Sequence, residues 1–223
     1  MKIKYKLKKL YPGIYHCEIK DSYDLAMTFC RVQEFYESPF KEIRNKPFRL
    51  LELMSIYSKR MGDGYFGYPV DWCGFNIPGK VIDTLYSYKL DDINIYDCAI
   101  VGMVNTIKED NHHAEYYLIG SNGDKSTILH EMCHGLYALH PEYKRAVDKL
   151  TSKLPVTIYK KITDVLLDIG YAKPVLRDEV QAYLSTDYLM MREALTKKEQ
   201  KEVDKLAAAF KLNFKHYTRK VKL

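Results

Sequence analysis

Apolar residues recur along this chain in rhythms that separate strands from helices. The run IYHCEIK, residues 14–20, reads as a short strand, and Asp21 or Ser22 stands where a following helix would be capped. In DLAMTFCRVQEFYE, Leu25, Phe29, Val32 and Tyr36 fall near one stripe, which predicts a helix ending before Pro39. A second helix is expected over FRLLELMSIYSKR. The glycines and prolines of GDGYFGYPVDWCGFNIPGK, residues 62–80, predict a long ordered loop, with Trp72 and Phe75 folded over the core. DCAIVGMVNT, residues 97–106, and AEYYLIG, residues 114–120, read as two strands of an antiparallel hairpin around the polar turn KEDNHH, whose His112 and His113 are surface residues.

The second half of the chain follows the helical period. In STILHEMCHGLYALHPEY, residues 126–143, a spacing of about 100° per residue puts His134 about 40° around from His130 and Glu131 about 100° from it. Ile128, Leu129, Met132, Cys133 and Leu136 fill the opposite arc, which suits burial; Cys133 is read as core. Ser126 or Thr127 is the expected cap, and Pro141 limits continuation. Further helices are expected over EYKRAVDKL, over VTIYKKITDVLLDIG with Gly170 as a stop, and over VLRDEVQAYLSTDYLMMREAL with a break near Ser185 and Thr186. Thr196 and Glu199 form a capping box before VDKLAAAF.

Composition narrows this to an ordinary globular α+β protein: 223 residues, 47% hydrophobic and 29% charged, are enough for a real core and argue against wholesale disorder. No apolar run reaches the roughly 18 residues of a membrane span, and the basic N-terminus lacks the apolar region and cleavage site of a secretory signal. Five scattered cysteines form neither a CxxC pair nor a disulfide framework, so a soluble protein of the cytoplasm or another intracellular, reducing compartment is expected. The net charge of +6 is concentrated at the ends: five lysines and no acid in residues 1–10, and nine basic against three acidic residues in 197–223. The stretch between is net acidic, so no specific nucleic-acid groove is predicted, and the ends read as solvated termini.

His130-Glu131-Met132-Cys133-His134 is the pattern HExxH. Two imidazoles one helical turn apart converge on one ion, and a glutamate beside the first reaches a water on that ion without being its ligand. Such a glutamate takes a proton from the attacking water and delivers it to the leaving nitrogen. On this motif, with its apolar arc and the preceding expected strand, the chain resembles the zincin metallopeptidases. The resemblance implies Zn2+ held by His130 and His134, Glu131 as general base, a peptide or protein substrate, and a cleft beside an edge strand for which residues 114–120 are the best match. The match covers the motif and residues 114–187; chain length makes a single domain, 1–223, the expectation, with 1–96 as a helical and loop elaboration, a zincin-like core over 97–195, and 196–223 as a C-terminal helix and basic tail. The resemblance does not cover the first hundred residues.

The third ligand separates two branches of that group. His140 has the spacing of HExxHxxGxxH, but Tyr137 stands where that motif turns on glycine. Glu179 in RDEVQAYL, 45 residues beyond His134 and on an expected helix, resembles the separate-helix glutamate of gluzincin-type enzymes and is favoured over His140, with adjacent Asp178 suited to hydrogen-bond a ligand histidine. Tyr183, one turn beyond Glu179, is a candidate donor to a transition-state oxyanion, with Tyr137 as another and aromatic packing as the competing role for both. Met190 and Met191 read as core. The competing function is a noncatalytic protein-binding module on a zincin-like scaffold, motivated by the basic ends and the lack of a readable specificity pocket.

Overall fold

The computed structural model describes residues 2–61, 64–112, 114–219 and 221. The chain divides into two compact units, Met1–Ile128 and Leu129–Leu223. His113 of the expected surface turn lies outside the described residues; His112 is exposed.

The first unit runs β1 (Lys6–Tyr11), β2 (Ile14–Glu18), α1 (Ser22–Glu37), α2 (Leu50–Arg60), α3 (Tyr68–Asp71), β3 (Gly74–Pro78), α4 (Gly79–Ser87), α5 (Ile95–Asp110) and β4 (Tyr117–Ser121). Its four-stranded sheet has the order β1-β2-β4-β3. β1 and β3 pair antiparallel with their neighbours, while β2 and β4 run parallel with Ile14 opposite Tyr117. All five residues of β4 are buried, the signature of a central strand covered on both faces. Gly120 is required there: a Cβ would sit 2.5 Å from the Phe29 ring of α1, and that ring stacks on Phe75 of β3 at 5.2 Å.

Three expectations are corrected in this unit. Residues 97–106 form part of α5 and not a strand; Asn94 caps the helix through the amides of Tyr96 and Asp97, and the Asp97 carboxylate accepts from the Asn94 amide. Ile100, Met103, Val104 and Ile107 form its buried stripe, so the helical period outweighed the β-rich composition. The strand expected at 114–120 has no hairpin partner in the segment before it, and β4 is hydrogen-bonded on both sides, so it offers no free edge to an extended peptide. The loop expected at 62–80 contains α3 and β3; Phe75 is buried as expected, whereas Trp72 is 39% exposed.

The helix α6 (Lys125–Leu139) leads into the second unit, which is helical: α7 (Pro141–Thr151), α8 (Val156–Asp168), a 3-10 turn (Lys173–Val175), α9 (Leu176–Ser185), α10 (Leu189–Glu193) and α11 (Lys197–Thr218). α9 packs against α7, α8 and α11. α11 buries Val203, Ala207, Phe210 and Phe214 along one stripe and is capped by the Thr196–Glu199 box. Gly170, at φ 105°, ends the α8 segment where a side chain would be strained. No described helix is long and apolar enough to cross a membrane.

Candidate metal centre

Helix α6 begins on Asp124, whose carboxylate accepts from the Thr127 amide at 2.8 Å; Ser126 and Thr127, the expected caps, both donate to that carboxylate. One turn further on, the side chains of His130 and His134 converge, with their Nε2 atoms 3.4 Å apart. Met132, Cys133 and Leu136 are fully buried, and burial pushes the Cys133 thiol well up, as suits a packing residue. The helix ends at Leu139, and Pro141 opens α7 with His140 as its N-cap.

The other half of the centre is supplied by the first turn of α9, where Asp178 and Glu179 lie at the positive end of the helix. Glu179 Oε2 is 3.5 Å from His130 Nε2, and Glu179 Oε1 is 3.6 Å from His134 Nε2. One ligand atom from each of His130, His134 and Glu179 lies within 4.8 Å of the others. It is the one such His, Cys, Asp and Glu group among the described residues, and His140 is not a member.

The donor chemistry fits a divalent cation. Glu179 is buried, and its Oε2 has no hydrogen-bond partner although it lies 3.5 Å from the His130 ring nitrogen, with Oε1 turned toward His134. A buried carboxylate oxygen left in that state is costly unless a cation satisfies it. The two imidazole nitrogens, 3.4 Å apart, are close to the edge of about 3.3–3.4 Å expected between ligand atoms around tetrahedral zinc, and each faces one oxygen of the Glu179 carboxylate, His130 at 3.5 Å from Oε2 and His134 at 3.6 Å from Oε1.

Both rings are also turned the right way. Asp178 Oδ1 is 3.0 Å from His134 Nδ1, so Nδ1 donates to the carboxylate and Nε2 faces inward. Thr186 gives its hydroxyl proton to the Ala182 carbonyl at 2.8 Å and presents a lone pair to His130 Nδ1 at 3.5 Å, the outer limit of a hydrogen bond. Burial opposes a charge on His134, but the nearby Asp178, Glu179 and Glu131 outweigh it and hold the ring's pKa well above its ordinary value.

Glu131 is buried, and its charge is felt at three side chains of the centre, raising the pKa of His134, Tyr171 and Tyr183. The Tyr183 ring meets the edge of His130 at 4.6 Å between centroids, and its hydroxyl lies 3.2 Å from that of Tyr171. Burial, then the neighbouring carboxylates, push both phenols upward, so both remain protonated donors. Tyr137 is elsewhere employed: its hydroxyl donates to Asp148 at 2.9 Å and its ring lies under Lys144.

Reading the chain alone missed Tyr171 and Thr186. Tyr171 has no local signal beyond following Gly170, whereas Thr186 was visible only as a helix break. No protein-family model, curated protein or solved structure matches the chain.

Proposed function

We propose that the chain is a zinc-dependent hydrolase of peptide bonds, with His130, His134 and Glu179 as ligands and Glu131 as general base. The observation that carries this reading is the buried Glu179 carboxylate, one oxygen unpartnered, set against two imidazole nitrogens 3.4 Å apart on an HExxH helix. Zinc held there supplies Lewis acidity, polarising a carbonyl and lowering the pKa of an attacking water.

Glu131 takes one proton from that water as the oxygen bonds to the carbonyl carbon. It returns the proton to the amide nitrogen as the C–N bond breaks, so the base is regenerated and the products are an acid and an amine. Asp178 and Thr186 keep the ligand rings oriented. We assign Tyr183 as donor to the oxygen that becomes negative; its ring contact with His130 and its raised pKa support that reading. Five free thiols, two of them exposed, support action in a reducing compartment.

The test is Glu131→Gln. The variant should bind zinc stoichiometrically but cleave a peptide library about 10²–10⁴-fold more slowly, the usual contribution of a general base. Normal turnover by the variant would sink the mechanism. Zinc binding without Glu131-dependent cleavage by the wild type would favour the noncatalytic protein-binding role.

A further inference from the structure

Behind His134, away from its Nε2, a buried chain of hydrogen bonds continues past Asp178. Gln181 Nε2 donates to Asp178 Oδ1 at 2.8 Å, and the Tyr143 hydroxyl donates to Gln181 Oε1 at 2.8 Å. Gln181 and Tyr143 are both completely buried, whereas the Asp178 side chain is 30% exposed. The same Asp178 oxygen therefore receives the His134 Nδ1 proton and the Gln181 amide proton.

We infer that Gln181 is a positioning residue for the metal centre, holding Asp178 in the rotamer that fixes His134, and that Tyr143 in turn fixes the direction of the Gln181 amide. The inference rests on the zinc-site reading above. Its physical basis is directional. Asp178 is partly open to water and has several rotamers available on the first turn of α9. A second donor from Gln181, three residues on along the same helix face, selects the rotamer that meets His134. An amide has a donor end and an acceptor end, and Tyr143, by donating to the Gln181 carbonyl oxygen, leaves the amide nitrogen facing Asp178. Tyr143 comes from α7 and Gln181 from α9, so the chain ties the orientation of a ligand on α6 to the packing of two other helices.

The experiment measures zinc affinity by competition with a chromophoric chelator in the full chain. Gln181→Met, similar in size, should weaken zinc by about 10-fold, the usual effect of removing an outer hydrogen bond to a ligand histidine's partner. That variant takes the Gln181 acceptor from the buried Tyr143 hydroxyl, which otherwise meets only Ser185 and Cys133 among the described residues, so its fold is at risk. Gln181→Met/Tyr143→Phe removes both polar groups together and should show the same weakened affinity with restored thermal stability. Asp178→Asn/Gln181→Met should bind zinc no more weakly than Asp178→Asn alone, because Gln181 acts through Asp178. In nitrogen-15 spectra of the zinc-loaded protein, the His134 Nδ1 proton should exchange faster in Gln181→Met/Tyr143→Phe than in wild type.

Wild-type affinity and exchange in Gln181→Met/Tyr143→Phe would overturn the inference, as would full additivity of the Asp178 and Gln181 losses. Failure of the unaltered protein to bind zinc would be a different result, overturning the metal-site reading itself and this inference with it.

Discussion

Glu179 and His140 are both within reach of a sequence argument for the third ligand, but their surroundings differ. Glu179 is held on α9 with its buried carboxylate facing both rings and Oε2 unpartnered, while His140 serves as the N-cap of α7 after α6 has ended. In the proposed site, removing Glu179 takes away the carboxylate and leaves two imidazoles that cannot close a three-residue site. Glu179→Ala should therefore weaken zinc far more than the roughly 10–100-fold of an outer-contact change, and His140→Ala should leave affinity nearly unchanged. Equilibrium dialysis against zinc checks both, and the reverse ranking would transfer the ligand role to His140. The comparison is clean because the two residues sit on different helices, so neither substitution removes the other's backbone support.

At the scale of elements, α6 was legible because each of its signals is local. The buried residues recur with the helical period, the histidines sit one turn apart, and Pro141 stands just past the end. Its cap was misplaced by two or three residues, from Asp124 to Ser126 or Thr127, because all three carry a suitable oxygen and only the built turn selects one. Asp124→Ala should cost about 1 kcal/mol of unfolding free energy in urea, with Asp124→Ser restoring most of it; an unchanged transition midpoint would mean the cap is not holding the helix. The helix α5 differs for the opposite reason: its cap Asn94 lies three residues before the run 97–106, whose own composition favours a strand. The central place of β4 was not readable at all, since its parallel partner lies about a hundred residues earlier and the pairing is a tertiary choice. The same holds for Tyr171 against Tyr183 and Thr186 against His130, where contacts between separate elements create the role. Thus the convergence of the two histidines came from spacing and Glu179 from the resemblance to gluzincin-type enzymes, whereas the side chains packed around them required the fold.

For the whole molecule, the consequence of the centre's charge is a linkage between protons and zinc. Burial works against a charged His134, yet Asp178, Glu179 and Glu131 prevail, so the protein stripped of metal by a chelator holds a proton on this ring well above the usual histidine range. A pKa raised by folding stabilises the native state fully below the unfolded value of about 6.5, and that stabilisation is lost as pH rises through the folded value. Zinc requires the neutral ring and must displace the same proton, so its apparent affinity climbs over the same interval. Stripped protein should consequently lose thermal stability as pH is raised from about 6 to 8, through this group's contribution. The added stability from a fixed free zinc concentration should widen over that range, reaching about 4 kcal/mol where zinc stands at a thousand times its dissociation constant. Thermal scans of stripped and zinc-loaded protein at each pH measure the gap, and proton release on zinc addition measures its cause. In Asp178→Asn, which removes the largest influence raising the ring's pKa, the gap should change less with pH. A gap that stays constant in the unaltered protein while zinc binds would remove His134 from the set of groups that zinc deprotonates.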